Sequence, residues 1–324
     1  MSRPLLIASV ALASYAALNL AIAFVVAAAW RRPRTDRIAV SPAARARQLV
    51  WLRACPSVGA AFITTTVIAP AFAIFEPARA SEMAGPVVIV LAALALLQIG
   101  ASVVVAVTTL ARTRAVAGAW LQAASPLDAN PPAGIPAYII ESLTPVVALV
   151  GVFTPKLIAA RTVIDSCTTE ELAAIVAHER GHLQARDNLK RWLMACAPDA
   201  LRWTPWHREI AAAWHDAAED AADDAATRGD ERARVNLAAL LVKIARLTPE
   251  PSWPAATVSP FVEKCGVDRR VRRLLASGDR SSTPSRWWPI AAIALLGATL
   301  AGVISPAAFE QIYLLVETVI AFGR

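Results

Sequence analysis

Long uncharged apolar runs alternate with polar segments along this chain, and the length of each run indicates what it forms. A helix needs about 20 apolar residues to cross a bilayer. Four runs are long enough to cross: Pro4–Trp30, Ala54–Phe75, the stretch between Glu82 and Arg112, and a run from Trp287 to about Ser305. Pro70 predicts a kink in the second run. We therefore expect four transmembrane helices, the first being too long for a cleaved signal peptide.

The polar segment between the third and fourth runs has the pattern of a small α+β domain. Val- and Ile-rich stretches in Ala137–Phe153 and Lys156–Ala159, bounded by Pro and Gly, predict strands. Thr168 and Glu171 have the spacing of a capping box that opens a helix, and we expect this helix to continue to the region of Pro198. Further helical patterns follow at Trp206–Arg228, Arg232–Leu247 and Pro260–Ala276.

These patterns divide the chain into three parts. Residues 1–112 form a three-span region with an Arg-rich loop at 31–53, residues 113–286 form the inserted α+β domain, and residues 287–324 form the fourth span and a short helix. Glu310 and Glu317 share one face of that last helix. We expect it to be amphipathic and to lie on the outer surface of the membrane, with a fifth span as the alternative.

Composition and charge agree with a membrane protein. Hydrophobic residues make up 56% of the chain and charged residues 18%, against roughly a quarter charged in soluble domains. The net charge of +7 arises largely from arginines beside apolar runs, so we attribute it to membrane orientation rather than to nucleic-acid binding. Seven arginines between Arg31 and Arg53 predict a cytoplasmic loop. The inserted domain then faces the cytoplasm from a multi-pass protein of the cytoplasmic membrane. The four cysteines show no paired spacing and are expected to be reduced.

One five-residue motif carries metal chemistry. The chain reads His178-Glu179-Arg180-Gly181-His182 within the first predicted helix of the inserted domain. Histidines four residues apart lie on one helical face, about 6 Å apart along the axis, so both can reach one Zn²⁺ ion. Glu179 is placed to accept a proton from a water on the metal, as the base of a metallopeptidase does. The apolar residues before the motif predict that both histidines leave a buried face.

The next helix supplies a candidate third ligand. Glu219 and Asp223 share one face of Trp206–Arg228, and Glu219 completes a His/His/Glu set with an open position for water. Asp223 is placed to accept a hydrogen bond from the other nitrogen of a ligand histidine. His215 lies one turn before Glu219 and could be an alternative ligand, an oxyanion stabiliser or a structural histidine. His207 is expected at the membrane interface, and Asp187 is expected to pair with an arginine.

The combined motifs resemble those of the BlaR/MecR-type membrane zinc peptidases and, more distantly, the HtpX-like ones. The resemblance covers roughly residues 85–305. It rests on Thr144–Ile158, Glu171–Glu179, Arg186-Asp187, Trp203–Trp206, Glu219-x-x-Ala222-Asp223 and Arg269–Leu275. It implies a gluzincin-like domain between the third and fourth spans, with His178, His182 and Glu219 as ligands of one zinc per chain. In BlaR-type receptors a penicillin-binding domain follows the fourth span, whereas here the sequence reaches only Arg324, so we expect no β-lactam sensing by that route.

These observations predict a membrane-embedded zinc endopeptidase that cleaves a cytoplasmic or membrane-proximal protein. The resemblance favours a transcriptional repressor as substrate, and hence a role in signalling. Two alternatives are a protease that removes damaged membrane proteins and a non-catalytic scaffold that keeps zinc for stability; the intact Glu179 argues against the scaffold. A transporter is disfavoured because the spans contain almost no ionisable residues.

Overall fold

The structure, a computed structural model, describes residues 2–31, 40–75, 84–127, 135–142, 146–247, 258–260, 264–276 and 306–322. Helices dominate these residues. The helices are α1 (Arg3–Arg31), α2 (Pro42–Ile63), α3 (Ala69–Phe75), α4 (Pro86–Gln122), α5 (Arg161–Ser166), α6 (Thr169–Ala185), α7 (Asp187–Cys196), α8 (Trp206–Thr227), α9 (Glu231–Leu247), α10 (Lys264–Leu275) and α11 (Pro306–Phe322). The expectation of a mainly helical protein with a small sheet is confirmed.

Among the described residues, three helical segments are long and apolar enough to cross a membrane: Arg3–Arg31, Pro42–Phe75 and Pro86–Gln122. The second joins α2 and α3 through a π-helical turn at Thr64–Ile68. This turn ends two residues before Pro70, whose ring nitrogen cannot donate to the Thr66 carbonyl four residues earlier. The fourth predicted span, 287–305, lies outside the described residues.

Two boundaries of the predicted spans differ from the structure. The Arg-rich loop was expected to extend to Arg53, but α2 already begins at Pro42, with the Ser41 hydroxyl accepting a hydrogen bond from the Ala44 amide. Ser at the N-cap and Pro at the first helical position favour this early start. The third segment was expected to end near Arg112, yet α4 continues to Gln122 because Val116, Ala117 and Trp120 pack on the core of the α+β domain.

The sheet contains five short strands in the order β1-β2-β4-β3-β5. They are β1 (Ala124–Pro126), β2 (Ala137–Ile140), β3 (Val147–Val150), β4 (Lys156–Ala160) and β5 (Val258–Pro260). β2 and β4 pair in parallel, and the other neighbouring pairs are antiparallel. Strands β2, β3 and β4 confirm the predicted strand regions, while β1 and β5 were not expected from the sequence. Apolar side chains of the central strands pack against Ile175 of α6 and Leu241 of α9.

The long helix expected from Thr168 to the region of Pro198 is divided in two. The capping box is present, since the Thr168 hydroxyl accepts from the Glu171 amide and the Glu171 carboxylate accepts from the Thr168 amide. The helix ends at Arg186, whose φ of 54° is left-handed, and α7 starts at Asp187. A left-handed arginine is uncommon, so local sequence gave no sign of this break. It turns Asp187 back toward α6.

The α+β domain packs directly on the apolar helices. Ile210, Trp214 and Ala217 of α8 share a buried cluster with Ala23 and Val26 of α1. Ala46 and Leu49 of α2 belong to the same cluster. The helix that carries Glu219 is therefore held against the first two apolar helices. In α11, Tyr313 contacts the rings of Phe72 and Phe75, so this helix lies beside α3.

Candidate metal centre

Helix α6 brings the two histidines of the motif to one buried point. His178 and His182 are both buried, and their Nε2 atoms lie 3.1 Å apart. Their rings are nearly perpendicular, with centroids 4.7 Å apart. Both Nε2 atoms therefore point toward one spot on the inner face of α6. The helical spacing of four residues thus produces the geometry expected from the sequence.

Helix α8 adds the carboxylate of Glu219 to this pair. The Glu219 Oε1 atom is 3.3 Å from His182 Nε2, and its Oε2 atom is 3.6 Å from His178 Nε2. Close approach of the two helices depends on Gly181, where a Cβ atom would meet the Ala222 Cα at 3.1 Å. A side chain at this position would push α8, and Glu219 with it, away from the histidines.

The donor set fits zinc. The candidate ligand atoms of His178, His182 and Glu219 all lie within 4.8 Å of one another. Ligand atoms about 2.0–2.1 Å from one tetrahedral zinc ion are about 3.3 Å apart, which is close to the separations found here. Two imidazoles and one carboxylate are also the ligand types of many catalytic zinc sites.

Two aspartates fix the orientation of the histidine rings. His178 Nδ1 lies 3.0 Å from Asp223 Oδ1, and His182 Nδ1 donates to Asp187 Oδ2 at 2.8 Å. A carboxylate beside Nδ1 favours a proton on that nitrogen, which leaves Nε2 free to bind a metal ion. The structure therefore puts Asp223 where the sequence proposed it. The expected arginine partner of Asp187 is wrong: Asp187 binds His182 and Lys190, because the turn at Arg186 brings it back toward α6.

Arg270 also belongs to this site, although its place there was not predicted from the sequence. Arg270 of α10 is buried and forms two hydrogen bonds with Asp223, at 2.9 and 2.6 Å, and its Nη1 lies 2.9 Å from Glu219 Oε2. Burial opposes ionisation of Asp223, but the charge of Arg270 outweighs it and lowers the Asp223 pKa to about 2. The same charge and that of His182 keep the pKa of Glu219 well below its ordinary value despite burial. An arginine within the apolar stripe Val267, Val271 and Leu274 is the sequence signal that could have revealed it.

The remaining acids and histidines near the site have other partners. Asp220 binds Arg269 at 2.6 Å and Asp224 binds Arg273 at 2.6 Å, so these acids hold α10 on α8. His215 Nδ1 lies 3.2 Å from Arg191 Nη2 and 3.9 Å from Glu219 Oε1, which places it beside the ligand set. His207 Nδ1 donates to the Thr204 carbonyl at 2.7 Å, near the start of α8.

Glu179 differs from Glu219 and Asp223 because its pKa is raised rather than lowered. It is buried, and neither carboxylate oxygen has a hydrogen-bond partner within the described part of the chain. Burial raises its pKa to about 7, partly offset by the nearby charges of His182 and His178. A carboxylate with this pKa can both accept and release a proton near neutral pH. Structural metal sites do not require such a group.

Comparison with known proteins agrees with this geometry. Residues 88–244 match the family model described as peptidase family M48. The matched region begins in α4 and ends in α9, and it includes His178, Glu179, His182, Glu219 and Asp223. The match supports a metallopeptidase of the M48 family. Neither the curated proteins nor the solved structures contain a match to this chain.

Proposed function

We propose that this chain is a membrane-embedded zinc endopeptidase with His178, His182 and Glu219 as metal ligands and Glu179 as the general base. The observation that carries the proposal is the convergence of three buried ligand atoms beside a buried carboxylate with unpaired oxygens. The M48 match supports the peptidase class. The three apolar helices support a multi-pass protein of the cytoplasmic membrane, and the arginines of residues 31–53 support a cytoplasmic site.

The residues of the site have separate tasks in peptide hydrolysis. His178, His182 and Glu219 would hold a zinc ion, which would supply acidification of a water molecule and polarisation of the peptide carbonyl. Asp223 and Asp187 keep Nε2 of each histidine free of its proton, so that both rings can bind the ion. Glu179 accepts the proton of the attacking water and delivers it to the leaving amine, for which a pKa of about 7 is suited. We propose a cytoplasmic or membrane-proximal protein as substrate, with a repressor favoured by the resemblance to BlaR/MecR-type peptidases.

Glu179→Gln separates catalysis from metal binding. The amide cannot accept the proton, so we expect hydrolysis of a fluorogenic peptide to fall at least about 100-fold, while the protein still binds about one zinc per chain. Zinc content is measured by elemental analysis of the detergent-purified protein. Glu170→Gln is the matched control, because Glu170 is exposed on the same helix and should leave activity unchanged. A Glu179→Gln protein with wild-type activity would refute the assigned base.

His178→Ala and Glu219→Ala test the ligands in the same assay. Each removes one of three protein ligands, so both zinc content and activity should be lost. His207→Ala is the matched control, since His207 contacts a backbone carbonyl away from the site. Full zinc occupancy in both ligand variants would exclude this metal centre.

A further inference from the structure

Arg186, at the junction of α6 and α7, has an unusual backbone conformation. Its φ of 54° and ψ of 43° are left-handed, where glycine or asparagine is the usual residue at the end of a helix. Its amide donates to the Leu183 carbonyl at 3.0 Å, and its carbonyl accepts from the Lys190 amide at 3.1 Å. Both helices therefore hold this backbone in place. A left-handed residue with a long side chain is frequently part of a functional site.

Arg186 lines a cavity that adjoins the metal centre. The cavity has a volume of about 400 Å³ and lies between the end of β3 and the junction of α6 and α7. His182, a proposed metal ligand, lines the same cavity. Arg186 follows His182 by four residues, which is about one helical turn or roughly 6 Å along the axis. A substrate held at the metal therefore comes within reach of the Arg186 guanidinium.

The Arg186 side chain has no partner within the described part of the chain. It is exposed, and no described residue forms a hydrogen bond or an ion pair with it. Asp187 is the one acid among the lining residues of the cavity, and its buried carboxylate already binds His182 and Lys190. The donors of the guanidinium therefore remain available to a group that enters the cavity.

Arg228 provides a comparison within the same domain. It ends α8 as Arg186 ends α6, it is left-handed with a φ of 48°, and it is also exposed. A positive charge at a helix C-terminus interacts favourably with the helix dipole, and this reason applies equally to both arginines. Arg186 lines the cavity beside the metal centre, whereas Arg228 does not. Position at the cavity is therefore the feature that separates Arg186 from Arg228.

We propose that Arg186 binds a carboxylate of the substrate close to the cleaved peptide bond and thereby determines specificity. This inference rests on the peptidase function proposed above and defines its substrate class. A guanidinium presents its donors in a planar fork that fits a carboxylate through two parallel hydrogen bonds. The carboxylate belongs either to an aspartate or glutamate side chain or to the end of a peptide chain, and the test distinguishes these two sources.

The test measures kcat and KM of the detergent-purified full-length protein on three fluorogenic peptides. The reference peptide is amidated and has Gln within two residues of the cleaved bond. The second peptide has Glu in place of that Gln, on either side of the bond in turn, and the third ends at the Gln with a free carboxylate. Wild type should prefer a carboxylate peptide over the reference about tenfold, chiefly through a lower KM, as expected for one charged hydrogen-bonded pair.

Variants of Arg186 should change this preference in a defined way. Arg186→Gln should abolish it, and Arg186→Glu should reverse it, so that a peptide with Lys in place of Glu becomes the better substrate. Arg186→Gly also removes the charge and suits the left-handed backbone, so the same loss in this variant does not arise from a distorted turn. Arg228→Gln is the matched control and should keep the wild-type preference. Zinc content near one per chain in each variant shows that the metal centre is intact.

The outcomes separate this inference from the proposed function. If wild type cleaves none of the peptides, the peptidase proposal fails and this inference fails with it. If wild type cleaves all three with equal kcat/KM, or if Arg186→Gly keeps the preference, the peptidase stands and the role of Arg186 is overturned. An equal loss of preference in Arg228→Gln also overturns it, because the effect then arises from overall charge. Preference for the Glu peptide identifies a side-chain carboxylate, and preference for the free-acid peptide identifies the chain end.

Discussion

At the scale of single residues, the guanidinium of Arg270 joins two carboxylates on consecutive turns of α8. It binds Asp223 through two nitrogens and Glu219 through a third contact. Asp223 in turn holds His178. A buried arginine thus keeps one proposed ligand charged and supports the group that orients another. Without it, the two buried carboxylates would lose the one permanently charged group that contacts both of them among the described residues.

Arg270→Met should therefore weaken the metal centre. We expect zinc affinity to fall about 10–100-fold, as for other groups that orient metal ligands, and the metal-free protein to lose about 3–5 kcal/mol of stability. Competition with a zinc chelator and thermal unfolding measure the two effects. Arg272→Met is the control, because Arg272 pairs with Asp268 on the surface and its side chain is 78% exposed. Equal zinc affinity in both variants would show that Arg270 does not support the ligands.

At the scale of secondary-structure elements, the contact between α6 and α8 sets the distance between the histidines and Glu219. Gly181 lies between His178 and His182 in sequence and faces Ala222 of α8, one turn after Glu219 and Ala218. The glycine therefore has a packing role within the metal-binding motif. It allows the two helix backbones to approach closely enough for one ion to contact ligands from both.

Gly181→Val should separate these helices. The added branched side chain would overlap Ala222, so we expect a loss of about 1–3 kcal/mol in stability together with reduced zinc content. Elemental analysis and thermal unfolding are the measurements. Gly118→Val in α4 is the matched control, because a Cβ atom there meets nothing within 4 Å. If Gly181→Val retained full zinc and wild-type stability, the close approach would not limit the site.

At the scale of the whole molecule, a buried polar network anchors the α+β domain to the apolar helices. Arg53 of α2 forms a salt bridge with Asp199, in the segment between α7 and α8, and both side chains are buried. Asn19 of α1 accepts from the Ala200 amide and donates to the Pro198 carbonyl, at 3.0 and 3.1 Å. This segment connects the helix that begins with Asp187 to the helix that carries Glu219. The anchor therefore ties both parts of the site to the proposed membrane region.

Arg53→Met should be strongly destabilising because it leaves the Asp199 carboxylate buried without a counter-charge. The expected loss is about 3–5 kcal/mol. Adding Asp199→Asn removes that charge and should restore much of the loss, which gives a large coupling energy in a double-mutant cycle. Thermal unfolding in detergent is the measurement. Arg47→Met, on an exposed position of the same helix, should change stability by no more than about 0.5 kcal/mol. Strictly additive effects of the two changes would argue against the anchor.

The orientation of the whole protein in the membrane decides which proteins can reach the proposed site. Each arginine of residues 31–53 would have to be translocated across the membrane in the reverse arrangement, which is costly. Reporters fused near residues 40, 200 and 284 should therefore indicate a cytoplasmic location. A reporter fused near residue 80 should indicate an external location. An external reporter at residue 200 would exclude cytoplasmic repressors as substrates while leaving the metal chemistry intact.

The sequence by itself determined the features that depend on local spacing. The apolar runs Pro4–Trp30 and Glu82–Arg112 predicted the helices that the structure has at Arg3–Arg31 and Pro86–Gln122. Length and hydrophobicity alone decide whether a helix can cross a bilayer. The spacing of His178 and His182 predicted their convergence, because 3.6 residues per turn places them on one face wherever the helix lies. The capping box likewise predicted the start of α6, because it depends only on the spacing of three residues between Thr168 and Glu171.

Only the tertiary structure decided which distant groups meet these local features. The role of Asp187 depends on a left-handed turn at Arg186 that local preferences disfavour, so the sequence predicted both the wrong helix length and the wrong partner. Arg270 lies far along the chain, and its contact with Glu219 and Asp223 arises from packing of α10 on α8. Helical periodicity fixes neighbours within one element, whereas contacts between elements depend on how their surfaces pack. The two histidines proposed as ligands and the position of Asp223 beside them could therefore be predicted from the sequence, whereas the contacts of Asp187 and Arg270 could not.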